Sequence, residues 1–79
     1  MPPKLLTFEI DSTANTVEVH FNAEGAADLI KILERLRASP TNAHDHLKTP
    51  AWGGGELTET KQGRSAVLVD HVKLFFWQE

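Results

Sequence analysis

Between residues 5 and 21, apolar and polar side chains alternate in two short runs. In the first, Leu6, Phe8 and Ile10 face one way and Leu5, Thr7 and Glu9 the other. In the second, Val17, Val19 and Phe21 alternate with Thr16, Glu18 and His20. This is the period of a half-buried strand. Asp11-Ser12-Thr13-Ala14-Asn15 between them is turn chemistry, because Asp and Asn bond to nearby backbone and tolerate left-handed φ. The two runs predict a β-hairpin.

The period then changes. Asn22 offers an N-cap and Glu24 places a negative charge in the first turn, which predicts a helix over residues 23–38. Ala26, Leu29, Ile30, Leu33 and Leu36 share one face, widened by Ile32. Asp28, Lys31, Glu34 and Arg35 occupy the other. Gly25 is a weak position, since glycine inside a helix costs up to about 1 kcal/mol against alanine. Ser39-Pro40 ends the element, because the residue before proline is pushed out of the helical region. Residues 43–48 form a short candidate strand, and residues 56–60 are either a further strand or loop. Lys61-Gln62-Gly63-Arg64-Ser65 is a turn, and residues 67–77 carry the strongest strand signal in the chain.

The order β-β-α-β-(β)-β predicts an α+β fold: a single antiparallel β-sheet of four to five strands with one helix packed on one face. The inward set is Leu6, Phe8, Ile10, Val17, Val19, Phe21, Leu47, Leu68, Val72, Leu74 and Phe76. One helix covers one face only. The reverse face is predicted to hold Thr7, Glu9, Glu18, His20, His44, His46, His71, Lys73, Phe75 and Trp77, with all four histidines on the same side. Such a face is either a binding surface or a solvated face whose aromatics shield the sheet.

Composition narrows the function classes. The chain's 79 residues make one domain, 1–79, with little stability margin. It has no cysteine, so disulfides and thiolate metal sites are excluded, and a reducing cytoplasm fits. No leader is visible after Met1-Pro2-Pro3-Lys4, and no apolar run approaches the about 20 residues of a membrane span. Eight Lys and Arg against eleven Asp and Glu leave a net charge of −3, with the cations scattered. The expectation is no membrane, no nucleic acid, and a basic protein partner.

His44-Asp45-His46 puts two imidazoles on one side of a strand, where His20 and His71 join them if their strands are neighbours. Those histidines are hydrogen-bonding structural or interface groups, a pH-responsive interface, or, as the weakest reading, a metal site through His44, His46 and His71. Catalysis is not expected. Asp45, Glu56, Glu59 and Asp70 form no fixed pair, and Ser12, Ser39 and Ser65 sit in turns without a nucleophile elbow. No cofactor is implied. The Gly53-Gly54-Gly55 run lacks the Lys-Ser/Thr and the helix start of a phosphate loop. In that loop Trp52 either anchors a partner, with Glu56 presented beside it, or plugs the edge of the core.

His44-Asp45-His46-Leu47, Thr49-Pro50-Ala51-Trp52-Gly53-Gly54-Gly55-Glu56-Leu57, Val69-Asp70-His71-Val72-Lys73-Leu74 and Trp77 together resemble a family of small bacterial immunity proteins of polymorphic toxin systems, number thirty-two in the immunity-protein series. The resemblance is close over the second half of the chain; the first half matches in layout and length. It implies a cytoplasmic inhibitor that binds a cognate toxin and occludes it. The positions carried over are His44, His46, Trp52, Gly53, Gly54, Glu56, Leu57, His71 and Trp77. Lys48 departs from the apolar residue the family pattern would place there. Read together, the face and the resemblance predict a partner-binding set of His20, His44, His46, Trp52, Gly53, Gly54, Glu56, His71, Phe75 and Trp77. The alternative is a homodimeric structural or regulatory module that uses Phe75 and Trp77 at a sheet–sheet contact.

Overall fold

The computed structural model describes residues 3–79; Met1 and Pro2, on which part of the leader reading rests, lie outside them. The elements are β1 (Leu6–Asp11), β2 (Thr16–Phe21), α1 (Ala23–Arg37), β3 (Ala43–Lys48), a 3-10 turn (Pro50–Trp52), β4 (Val67–Leu68) and β5 (His71–Phe76). The fold is α+β with one helix among the described residues. α1 is not long and apolar enough to cross a membrane.

The strands form two antiparallel sheets, β2-β1-β4 and β3-β5, where the alternation predicts one. The run at residues 67–77 is the cause: it changes sheets halfway. Its first part pairs with β1, Glu9 opposite Leu68 and Ile10 opposite Val67, and its second part pairs with β3 along the whole of Ala43–Lys48. The corner falls at Val69 and Asp70. The Val69 N–H donates to the Phe8 carbonyl at 2.8 Å, so the chain is still tied to β1. One residue later the Asp70 carbonyl accepts from the Thr49 N–H at 3.0 Å, and its carboxylate accepts from the Thr49 hydroxyl at 2.6 Å. Residues 56–60 form no strand. Leu57 donates its N–H to the Lys48 carbonyl at 3.2 Å and Thr58 donates to that of Leu6 at 2.8 Å. Two residues thus splice the two sheets without building a ladder.

The core sits beneath α1 at this splice. Leu6, Ile32, Leu36, Leu47 and Leu57 are buried together, with Phe8, Leu29, Ala43, Val72, Leu74 and Phe76 packed against them. α1 therefore presents Gly25, Leu29, Ile32 and Leu36 to the core, a face rotated away from the centre of its apolar stripe. Ile30 and Leu33 stay exposed, and so do Ile10, Val17, Val19 and Phe21 of the predicted inward set, Val17 to 62%. Packing over the splice between the two sheets leaves the edge strand β2 uncovered, because one helix is too narrow to cover both.

The helix start is fixed by Asn22. Its side-chain oxygen accepts from the Gly25 N–H at 3.0 Å as an N-cap, and from the Leu5 N–H at 3.0 Å. Its own N–H donates to the Leu5 carbonyl at 3.1 Å. Helix start and β1 are thereby locked together.

Candidate functional site: a ribbon of rings on the second sheet

The β3–β5 register sets His44 opposite Phe75, His46 opposite Lys73 and Lys48 opposite His71. Strand alternation then sends Ala43, Asp45, Leu47, Val72, Leu74 and Phe76 toward α1, and His44, His46, Lys48, His71, Lys73 and Phe75 to the far side. Asp45 confirms the division, since its carboxylate pairs with Arg35 of the helix.

On the far side six rings follow one another without a gap. Trp77 stacks on Phe75 at a centroid distance of 6.4 Å, and Phe75 on His44 at 5.7 Å. His44 meets His46 edge-on at 5.1 Å, His46 stacks on His71 at 5.1 Å, and His71 faces Trp52 at 6.1 Å. These are favourable aromatic separations. The ribbon lies open: Trp52 is 57% exposed, Phe75 59% and Trp77 68%.

At its middle, His46 Nδ1 and His71 Nε2 are 2.8 Å apart, so one ring donates the proton that the other accepts. Partial burial disfavours a charged His71, and His46, Lys48 and Lys73 add positive charge around it. Together they hold its pKa below the ordinary 6.5. In a titration followed by NMR, His71 is expected to protonate below 6.5 and to move upward in a His46→Ala variant; an unmoved midpoint would show that the pair is not formed.

The Trp52 loop is built to aim its indole. Gly53 takes φ 84, a left-handed value that closes the 3-10 turn, with its N–H donating to the Pro50 carbonyl at 3.0 Å. A Cβ on Gly54 would lie 2.6 Å from the Cβ and the carbonyl oxygen of Lys48. Glu56 turns back, and its carboxylate accepts from the Lys48 N–H at 3.1 Å. That hydrogen bond, set against partial burial, holds Glu56 below 4.5. Gly53, Gly54 and Glu56 thus shape the loop. Trp52 does not plug the core edge; Leu57 does, at 1% exposure.

His20 is not part of the ribbon. It lies on β2, opposite Thr7, and its Nε2 meets Glu18 at 2.8 Å. The reverse face of the first sheet is not open either, because residues 58–66 strap across it and leave Thr7 and Glu9 fully buried. Glu9 accepts from the Thr7 hydroxyl at 2.6 Å and from the N–H groups of Gln62 at 3.0 Å and Gly63 at 2.7 Å. The alternation registers Glu9 as polar and reverse-facing, but gives no sign of the strap, whose bonds span 53 and 54 residues of sequence. The three ribbon histidines do not bring three ligand atoms together, since among the described residues that closeness occurs only at Glu9, Glu18 and His20. No protein-family model, curated protein sequence or solved structure matches the chain.

Proposed function

We propose that this protein is a binding inhibitor of the immunity type, which docks on a cognate toxin through the ring ribbon and occludes it. The observation that carries the reading is the unbroken run Trp77–Phe75–His44–His46–His71–Trp52, with Phe75 and the three histidines on the β3–β5 pair and an exposed indole at each end. Tryptophan and other large aromatics concentrate binding energy when a partner buries them, and a surface already ordered by ring-on-ring contacts loses little entropy on binding. Cytoplasmic location belongs to the same proposal.

The charge argument is sharper at the site than over the whole chain. A net charge of −3 attracts a basic partner from a distance. The ribbon itself is flanked by Lys48 and Lys73 on the same face. The partner surface that fits it is therefore apolar at the centre, with carboxylates or backbone carbonyls at the lysine positions.

A homodimer is the second reading, favoured by a different surface. β2 is an edge strand, and Val17, Val19 and Phe21 on it lie exposed, as do Ile30 and Leu33 on α1. Two experiments separate the readings. Co-expression with the toxin encoded next to this chain's gene is expected to rescue growth, and a Trp52→Ala/Phe75→Ala/Trp77→Ala variant is expected to lose the rescue while keeping its melting temperature. Failure of the intact protein to rescue overturns inhibition, and rescue by the triple variant overturns the ribbon as the docking face. Sedimentation of both proteins at micromolar concentration supports the second reading only if each runs as a dimer.

A further inference from the structure

Away from the ribbon, β1 and β2 assemble a second group of ligand-type side chains. Glu9 and Glu18 stand directly opposite in the strand register, and His20, two residues beyond Glu18, shares their face. One ligand atom from each of Glu9, Glu18 and His20 lies within 4.8 Å of the other two.

Three observations bear on what this group does. Like charges facing each other across a strand pair repel, and here one of the two is fully buried. Three donors, the Thr7 hydroxyl and the Gln62 and Gly63 N–H groups, point at the two oxygens of Glu9, an arrangement that suits the charged carboxylate. No lysine or arginine among the described residues pairs with either carboxylate; the ion pairs of the described residues are Lys4–Asp28, Arg35–Asp45 and His20–Glu18. The imidazole of His20 supplies one positive charge at most, against two negative ones. Finally, Gly63 lets the strap cross close to the pair: a Cβ there would lie 2.6 Å from Glu18 Oε1 and 3.0 Å from Glu9 Oε1.

We propose that Glu9, Glu18 and His20 form a binding site for a divalent cation, with Zn2+ as the ion that suits the donor set. A divalent ion cancels both carboxylates, which a proton on His20 does not. An imidazole nitrogen beside carboxylate oxygens favours Zn2+ over the oxygen-seeking Mg2+ and Ca2+. The geometry needs little change: His20 Nε2 and Glu18 Oε1 are 2.8 Å apart. Ligands on a tetrahedral zinc with bonds of about 2.0 Å sit about 3.3 Å apart, so the ion takes the place of the shared proton. The Thr7 hydroxyl and the Gln62 N–H then serve as the outer shell that orients a metal-bound carboxylate. Half-exposed Glu18 and His20 provide the way in. Water completes the coordination, and the ion ties the strap at residues 58–66 to the β1–β2 hairpin.

The site stands apart from the ribbon, and so does its test. Because His44, His46 and His71 are themselves imidazoles, the titration is done in a full-length His44→Ala/His46→Ala/His71→Ala background. Calorimetric titration with zinc chloride at about pH 7 is expected to show one ion per chain and a melting temperature that rises with zinc. His20→Ala and Glu18→Gln, both at half-exposed positions, are each expected to weaken binding by at least about tenfold. Absence of saturable one-to-one binding overturns the site. So does binding that both substitutions leave unchanged, and so does a melting temperature indifferent to zinc, which would leave His20 and Glu18 as a proton-sharing pair only.

Discussion

Replacing Gly25 with alanine is expected to destabilise the fold by about 2–3 kcal/mol, lowering the melting temperature by about 10–20 °C in a domain of this size. Helix propensity predicts the opposite sign, since alanine is the better helix former by about 1 kcal/mol. The reason is contact with backbone. A Cβ at Gly25 would fall inside the Leu5 carbonyl oxygen and lie 3.3 Å from the Leu6 Cβ. The helix cannot lift away cheaply, because the Asn22 oxygen holds the Gly25 and Leu5 N–H groups together at 3.0 Å each. Any shift that admits the methyl breaks that clamp and pulls Ile32 and Leu36 from the core. Gly55→Ala is the matched control, with nothing within 4 Å of its Cβ, and should be close to neutral. A thermal melt of the two variants decides it: equal midpoints would mean that helix and β1 are not in that close contact.

Glu9→Gln is expected to cost about 2–4 kcal/mol although it barely changes shape. Both carboxylate oxygens accept hydrogen bonds, one from Thr7 and Gln62 and the other from Gly63. An amide turns one of these acceptors into a donor and leaves a buried N–H facing another. The pH dependence follows from the same bonds. Glu9 and Glu56 have folded-state pKa values below the ordinary 4.5, so their contribution is fully present above that value and is lost as pH falls through it toward the folded values. His71 acts in a higher window: its folded-state pKa lies below 6.5, so the unfolded chain binds the proton first and stability declines as pH falls below 6.5. The urea midpoint of the wild type should therefore fall in two stages on acidification. Glu9→Gln should start lower near neutrality and lose part of the second stage. A wild-type midpoint and an unchanged acid limb in that variant would show that the strap is held by something other than the Glu9 charge.

Much of this architecture is legible in short-range patterns. The hairpin, the helix with its Asn22 cap, and the strand at residues 43–48 follow from periodicity and capping, which act over a few residues. The face assignment of His44, His46, His71, Lys73 and Phe75 follows in the same way, because alternation along a strand is a local property. Trp52 and Trp77 attract attention from the sequence as large aromatics beside turn and strand signals, and both close the ends of the ribbon. The expectations that fail share a different cause. His20 falls with the other histidines only on a single sheet, and Val17, Val19 and Phe21 face inward only under a helix that covers the hairpin. Each depends on where one helix settles over two sheets, which no window of sequence records.

The amino-acid order by itself determined the element types, the side of each strand on which a residue stands, and the stock of imidazoles, indoles and carboxylates. Only the tertiary structure decided that the last strand bends at Asp70 into a second sheet, that residues 58–66 close over Glu9, and that α1 turns its Gly25–Leu36 face inward. Those choices rest on bonds between residues far apart in the chain, such as Gly63 to Glu9 and Thr49 to Asp70. Local patterning cannot select among such long-range contacts, because their free energy exists only once the whole chain is packed.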